Sequence, residues 1–300
     1  MKRLALIAAL LLPAAAPLGA APAGEVAVLC DPGIAPYRAL LESFTKACTL
    51  KVRVVPPEEA RQEGLERRLQ AAGVRAVLAV GLQARAAADG LRELPVLLTM
   101  VPNAQRWVAA QPNRFGIEMA LAPRQNLETL RRVFPRAKRV GLIFDPGETG
   151  GYVREAQDAA AALGLILVTR EIARPGELPR RLEELRGGVD VIWLLPDPTA
   201  LQAENLQLLL LASFESRIPL YGFARKYVEL GAIAAAHVDP AALGAQAARR
   251  LRFLTEPAAG AAPRREYARG ALLVLNQKVA RKMGLVLAPA VLEEADDVLR

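Results

Sequence analysis

Between residues 138 and 200 the chain runs twice through one unit, and this repeat restricts the fold more than any other feature. Residues 140–144 (VGLIF) form a short apolar run, followed by a polar loop, DPGETGG, over 145–151 and a helical segment over 152–163. A second apolar run covers 165–169. The unit then recurs: helix over 178–185, apolar run over 189–195 (VDVIWLL), polar loop PDPT over 196–199, and a long helix. Apolar runs of this length, rich in leucine and β-branched residues and alternating with helices, mark parallel strands buried on both faces. In open α/β sheets ligands sit just beyond the carboxyl ends of the strands. Asp145, Thr149, Asp197 and Thr199 all fall there, which makes them candidates for a small-molecule site.

The alternation extends in both directions. Strands are expected at 25–30, 50–55, 74–80 and 95–99, with helices over 37–47 and 58–72 and another opening at Gly81. This is a βαβαβαβ unit, whose crossovers are expected to be right-handed. Residues 115–121 read as a crossing segment, because the helix at 123–133 starts a fresh alternation. Strands at 218–222, 233–238 and 272–275, an alanine-rich helix at 241–254, a Pro/Ala/Gly loop at 256–263 and two short closing helices complete the chain. The pattern predicts an α/β fold of two doubly wound parallel-sheet lobes joined by several crossings. One lobe takes 24–119 plus 239–266, the other 120–238 plus 267–300. Residues placed just past strand ends, or at the first helical positions facing the cleft, add Tyr37, Gln83, Thr99, Met100, Tyr152 and Phe223 to the ligand-binding candidates. Lys226 follows the same strand as Phe223 and reads equally as a solvated side chain. Trp193 reads as core, and Gly116 and Asp239 as hinge positions.

Three hundred residues suit two lobes of roughly 120–150 each, and 53% hydrophobic against 23% charged residues supplies a substantial core. The net charge of +8 does not indicate nucleic acid: the cations are mixed with 31 acidic residues, and no basic cluster is interleaved with aromatics. Residues 1–23 read as an export signal, with Lys2-Arg3 before an apolar stretch at 4–12 and small-x-small cleavage candidates at 18–20 or 21–23. The stretch is far shorter than the ~20 residues that span a bilayer. Its removal would lower the net charge from +8 to +6 and leave a soluble, periplasmic or secreted protein. Export permits a disulfide. A helix of about 12 residues between Cys30 and Cys48 would hold its ends some 18 Å apart, against the ~7 Å reach of a bridge, so that pairing stays open. Lipid attachment at Cys30 is disfavoured, since Ala27-Val28-Leu29 lacks the small residues that precede a lipidated cysteine. A single histidine, His237, and the absence of any glycine-rich phosphate loop, GxSxG or CxxC leave no catalytic or metal constellation. The residues point to binding without a cofactor.

With the alternation, crossings and export signal in place, the chain resembles the type I periplasmic binding proteins of ABC importers, in particular the subfamily that includes the tryptophan and tyrosine receptors. The resemblance is carried by Phe134-Pro135-x-Ala137-Lys138-Arg139-Val140-Gly141-Leu142-Ile143-Phe144-Asp145-Pro146-Gly147 and by Val189-Asp190-x-Ile192-Trp193-x-x-Pro196-Asp197-x-Thr199. Ile218-Pro219-Leu220-Tyr221-Gly222-Phe223 and the closing 273–289 segment add to it, and the N-terminal third is similar mainly in pattern. It implies a monomeric receptor that closes on a small solute, such as an amino acid, and presents it to a permease with its ATPase subunits. It also implies that Asp197, in the Asp-x-Thr position, contacts a ligand ammonium, while N–H groups near Gly150 and Gly151 receive a carboxylate. Two departures bear on the ligand: Pro198 stands where an asparagine is usual, and Gly81-Leu82-Gln83 where a small hydroxyl-bearing loop is usual. A sensory module that reports occupancy to a partner without transport is the alternative.

Overall fold

The computed structural model describes residues 24–256 and 263–300; the expected export signal, 1–23, lies outside them, as does most of the Pro/Ala/Gly loop. In chain order the first lobe opens with β1 (Glu25–Leu29), α1 (Ala35–Ala47), β2 (Lys51–Val55), α2 (Pro57–Ala60), α3 (Leu65–Ala71) and β3 (Val74–Val80). It continues with α4 (Gly81–Ala87), β4 (Val96–Thr99), α5 (Ala104–Ala110) and β5 (Arg114–Leu121). The second lobe holds α6 (Pro123–Val133), β6 (Arg139–Phe144), α7 (Pro146–Ala162), β7 (Ile166–Glu171), α8 (Leu178–Leu185) and β8 (Val191–Trp193). To these it adds α9 (Ala203–Ser216), β9 (Leu220–Gly222), α10 (Arg225–Leu230) and β10 (Ala234–Val238). The chain then returns to the first lobe for α11 (Pro240–Thr255) and β11 (Arg265–Ala268). It ends in the second with β12 (Ala271–Asn276), α12 (Gln277–Lys282), α13 (Pro289–Glu294) and β13 (Asp297–Leu299).

The first sheet has the order β11-β5-β4-β3-β1-β2 and is parallel throughout. The second has the order β13-β12-β10-β9-β8-β6-β7 and is parallel except where β12 pairs with β10. Both are buried on both faces, as the continuous apolar runs require. In β1 and just after it, Val26, Val28 and Cys30 join one core cluster while Ala27 and Leu29 join another across the sheet. In β8, Val191 and Trp193 face one core and Ile192 the other. Trp193 is 1% exposed, a core residue as its strand position suggested.

Several local features differ from the sequence reading for identifiable reasons. The polar stretch at 145–151 is mostly helix: Asp145 accepts a hydrogen bond from the Gly147 N–H at 2.8 Å, and Pro146 takes the first helical position, a preferred helix start. The charged helix at 58–72 breaks into α2, which ends at Ala60, and α3, which starts after Gly64 with φ 70°. Residues 115–121 are not a crossing but the body of β5, paired with both β4 and β11. Gly116 is therefore no hinge. It is a buried strand residue whose Cβ would lie 2.8 Å from Val108 of α5. The crossings follow Leu121, Val238 and Ala268, where β5, β10 and β11 end. Asp239 lies at the second, capping α11 through Ala241 N–H, and its own N–H bonds to the Gly270 carbonyl of the third at 3.1 Å. Cys30 and Cys48 are free thiols at opposite ends of α1.

Candidate functional site

Each sheet has a point where successive strands run to opposite sides of a central one: β1 between β2 and β3, and β6 between β7 and β8. Crevices form beyond the carboxyl ends of the strands at such points. In the second lobe the crevice is filled by its own polar side chains. Asp197, 1% exposed, accepts from the Asp145 N–H (2.8 Å) and the Thr149 hydroxyl (2.7 Å) on one oxygen, and from the Thr199 N–H (3.0 Å) and Ala200 N–H (2.9 Å) on the other. Thr199 donates in turn to Asp145 at 2.8 Å. A carboxylate has about four acceptor sites, and Asp197 uses all four within its own lobe. Here its oxygens face its own lobe, where the sequence reading set it against a ligand ammonium. Asp145 and Thr199 belong to the same clasp. Gly150 and Gly151 lie inside α7 rather than in an anion-receiving loop.

The cleft between the lobes encloses about 500 Å³. Among the sequence candidates Met100, Thr149, Tyr152 and Phe223 line it, with Pro102, Met119, Glu118, His237, Lys226, Arg265 and Tyr267. Tyr37, Gln83 and Met100 line an adjoining cavity of about 430 Å³ on the first lobe. Thr99 lines neither; it is fully buried, and its hydroxyl has no partner among the described residues. Met100 carries φ 54° and Asn103 φ 49°. Left-handed backbone at residues other than glycine costs of order 1–3 kcal/mol and clusters at ligand-holding segments.

An aromatic row crosses from lobe to lobe. The Tyr152 ring stands edge-on to Trp193 (5.9 Å) and to Tyr267 (6.0 Å), and its hydroxyl accepts from Asn126 and donates to the Leu121 carbonyl. Burial pushes the Tyr152 phenol well up, so it stays neutral. Glu155 of α7 accepts from the Tyr267 hydroxyl at 2.7 Å and pairs with Arg265 at 3.0 Å, and Glu148 pairs with Arg106 at 3.6 Å. These contacts brace α7 against the first lobe. Glu118 sits in the cleft wall, 6% exposed, accepting from the Gln105 N–H. Burial raises its carboxyl above the ordinary value, partly offset by Arg265 3.8 Å away. Lys226 is exposed at the cleft and has no carboxylate partner among the described residues; its ammonium lies 4.9 Å from the Tyr227 ring centre.

Sequence reasoning missed Glu118, Met119, Arg265 and Tyr267. For Glu118 a signal existed, a lone carboxylate between Ile117 and Met119 in a strand-like run. For Arg265 and Tyr267 there was none, because β11 (REYA) carries no apolar run. Among the described residues there is no cluster able to hold a metal ion, and no helix is long and apolar enough to cross a membrane.

Two sheets of mostly parallel strands, joined by three crossings with a lined cleft between them, define a bilobed binding protein. Residues 64–299 match the family described as ABC transporter substrate binding protein, and the chain belongs to that family. The family is one of binding proteins, not enzymes. A tyrosine-binding protein of Clostridioides difficile (strain R20291) is 23% identical over 172 residues, 55% of this chain and 49% of that protein, so the match spans about half of the relative's length. An ABC domain from Streptococcus pneumonia in complex with L-Trp superposes with a TM-score of 0.58 at 21% identity, covering 92% of this chain and 99% of that one. The ligand-free, open structure of a Clostridium difficile substrate binding protein with adhesive properties gives 0.67 at 17% identity, covering 92% and 98%. These structures share the type I periplasmic binding protein fold expected from the strand pattern.

Proposed function

We propose that this protein is an extracytoplasmic solute receptor that captures a small molecule between its lobes and delivers it to an ABC permease and its ATPase subunits. The observation that carries this reading is the cleft of about 500 Å³, lined from both lobes at the carboxyl ends of their strands. A ligand touching both walls is bound more tightly when the lobes are close, and only such differential affinity shifts a population toward closure. Met100, Met119, Tyr152, Phe223 and Tyr267 line an interior that suits an apolar or aromatic group, while Glu118, Lys226 and Arg265 supply charge. An amino acid or a related compound fits this lining, and the names of relatives that bind tyrosine or L-Trp support it. The export signal expected over 1–23 supports a location outside the cytoplasm.

A thermal-shift screen of amino acids, nucleosides, sugars and small organic acids tests the reading. A ligand at 100 times its dissociation constant stabilises the folded state by about 2.7 kcal/mol. A hit accompanied by a smaller radius of gyration in solution scattering is the expected result. Silence across every class, or binding with an unchanged scattering profile, would refute capture by closure.

A further inference from the structure

The crevice at the switch point of the second lobe is closed by the Asp197 clasp, but its counterpart in the first lobe is open and apolar. The adjoining cavity of about 430 Å³ lies between the segments that follow β1 and β3. Ile34, Tyr37 and Leu82 wall it, and it shares Met100, Pro102 and Met119 with the cleft cavity, so the two lie side by side. Ile34, Leu82 and Met119 are 41%, 53% and 47% exposed, three large apolar side chains left uncovered in one place. Scattered exposed leucines need no explanation, whereas a grouped set beside a binding cleft does. The pocket is shaped by backbone: Gly81 has φ +85°, and a Cβ there would lie 2.3 Å from the Tyr37 hydroxyl, so the glycine lets the hydroxyl end of the ring come against the start of α4. The left-handed Met100 stands at the junction of the two compartments. Across the cleft Lys226 is a cation without a carboxylate partner among the described residues, and Arg265, paired with Glu155 and 3.8 Å from Glu118, is in the same lining.

We propose, resting on the receptor reading above, that the natural solute is an elongated amphipathic carboxylate whose charged head lies at Lys226 and Arg265 and whose apolar arm fills the first-lobe crevice. Together the two compartments approach the upper part of the volume range of small-molecule sites, more than a single small amino acid occupies. The amino-acid derivatives that fit are those extended by an apolar residue or an acyl or aryl arm.

The test is calorimetric titration of the purified protein with three carboxylates, L-tyrosine, L-tyrosyl-L-leucine and 4-phenylbutyrate, on the wild type and on Leu82→Asp and Ile34→Ser. Both substituted side chains are exposed, so the fold should survive, and thermal unfolding without ligand checks this. At least one extended probe should bind tenfold or more tightly than L-tyrosine and lose about tenfold on Leu82→Asp, with a smaller loss on Ile34→Ser. L-tyrosine should change less than twofold. Binding of L-tyrosine with no gain for the extended probes, or extended probes indifferent to both substitutions, overturns the inference and leaves the receptor reading standing. Loss of uptake in cells on Leu82→Asp with unchanged binding assigns the patch to a permease contact and also overturns it. No binding by any of these probes, together with silence in the wider screen, removes the receptor reading and the inference with it.

Discussion

Replacing Asp197 by asparagine separates two roles that the sequence alone could not. The substitution keeps the shape and exchanges one oxygen for an NH2 group. If the nitrogen takes the place facing Thr199 and Ala200, two backbone N–H groups lose their acceptor and meet a donor. If it takes the other place, the Asp145 N–H does, while the Thr149 hydroxyl can rotate away. Either way at least one donor around a side chain 1% exposed is stranded. A buried unsatisfied donor costs about 1–3 kcal/mol, and bonds to a charged acceptor are the stronger kind. The expected loss is about 3 kcal/mol, which for a protein of this size lowers Tm by roughly 6–12 °C. The clasp holds the start of α7 and the loop before α9, and reaches the cleft only through Thr149, whose hydroxyl can rotate, so solute affinity measured well below Tm should stay within about threefold. Differential scanning calorimetry with and without a solute identified in the screen reads both quantities. A variant with wild-type Tm and no ligand-induced shift would refute the reasoning and return Asp197 to the ligand.

The remaining predictions concern the brace, the helix packing and a buried thiol. Glu155→Gln should loosen α7 from Arg265 and Tyr267; exposed pairs contribute about 1 kcal/mol or less, so stability barely changes while the unliganded radius of gyration grows, and an unchanged radius argues against a brace. Gly244→Ala would put a Cβ 2.1 Å from the Leu40 carbonyl oxygen, so a loss of about 3 kcal/mol is expected, at the high end for overpacked sites; a Tm within a degree of wild type would show that α1 and α11 can part freely. Burial, with a smaller contribution from Asp31, pushes the Cys30 thiol from 9.0 up to about 11. The unfolded chain then loses this proton first, so stability should fall between about pH 9 and pH 11 by roughly 2–3 kcal/mol at most. Cys30→Ala should flatten that part of a urea-unfolding pH profile, and an identical slope would dismiss the thiol as its source.

What could be read from the residues was whatever depends on periodicity. The runs at 26–30, 76–80, 140–144 and 191–195 are apolar because parallel strands are covered on both faces, and the alternation with helices placed Met100, Thr149, Tyr152 and Phe223 at the cleft. What escaped depends on partners far away in sequence. The donors to Asp197 include Asp145 and Thr149, some fifty residues earlier, which no local pattern pairs with it. Gly116 resembles a hinge until α5 is seen packed against it. β11 carries no apolar run and becomes a strand only because β5 offers an unpaired edge. Arg265 and Tyr267 reach the cleft through that pairing.

The close approach of α11 to α1 also governs the order in which the chain can assemble. Leu243, Ala247 and Leu251 complete the core that β1 and α1 begin, and the contact between Leu40 and Gly244 joins residues about 200 positions apart. Contacts so distant in sequence close late, after their loop entropy has been overcome. The first lobe therefore starts synthesis but cannot finish its core until nearly all of the second has been made. Its early strands stay exposed in the meantime, a natural point of engagement for holding factors. Neither lobe can be excised as one continuous fragment, and a nascent chain stopped anywhere before residue 240 leaves the first lobe uncovered.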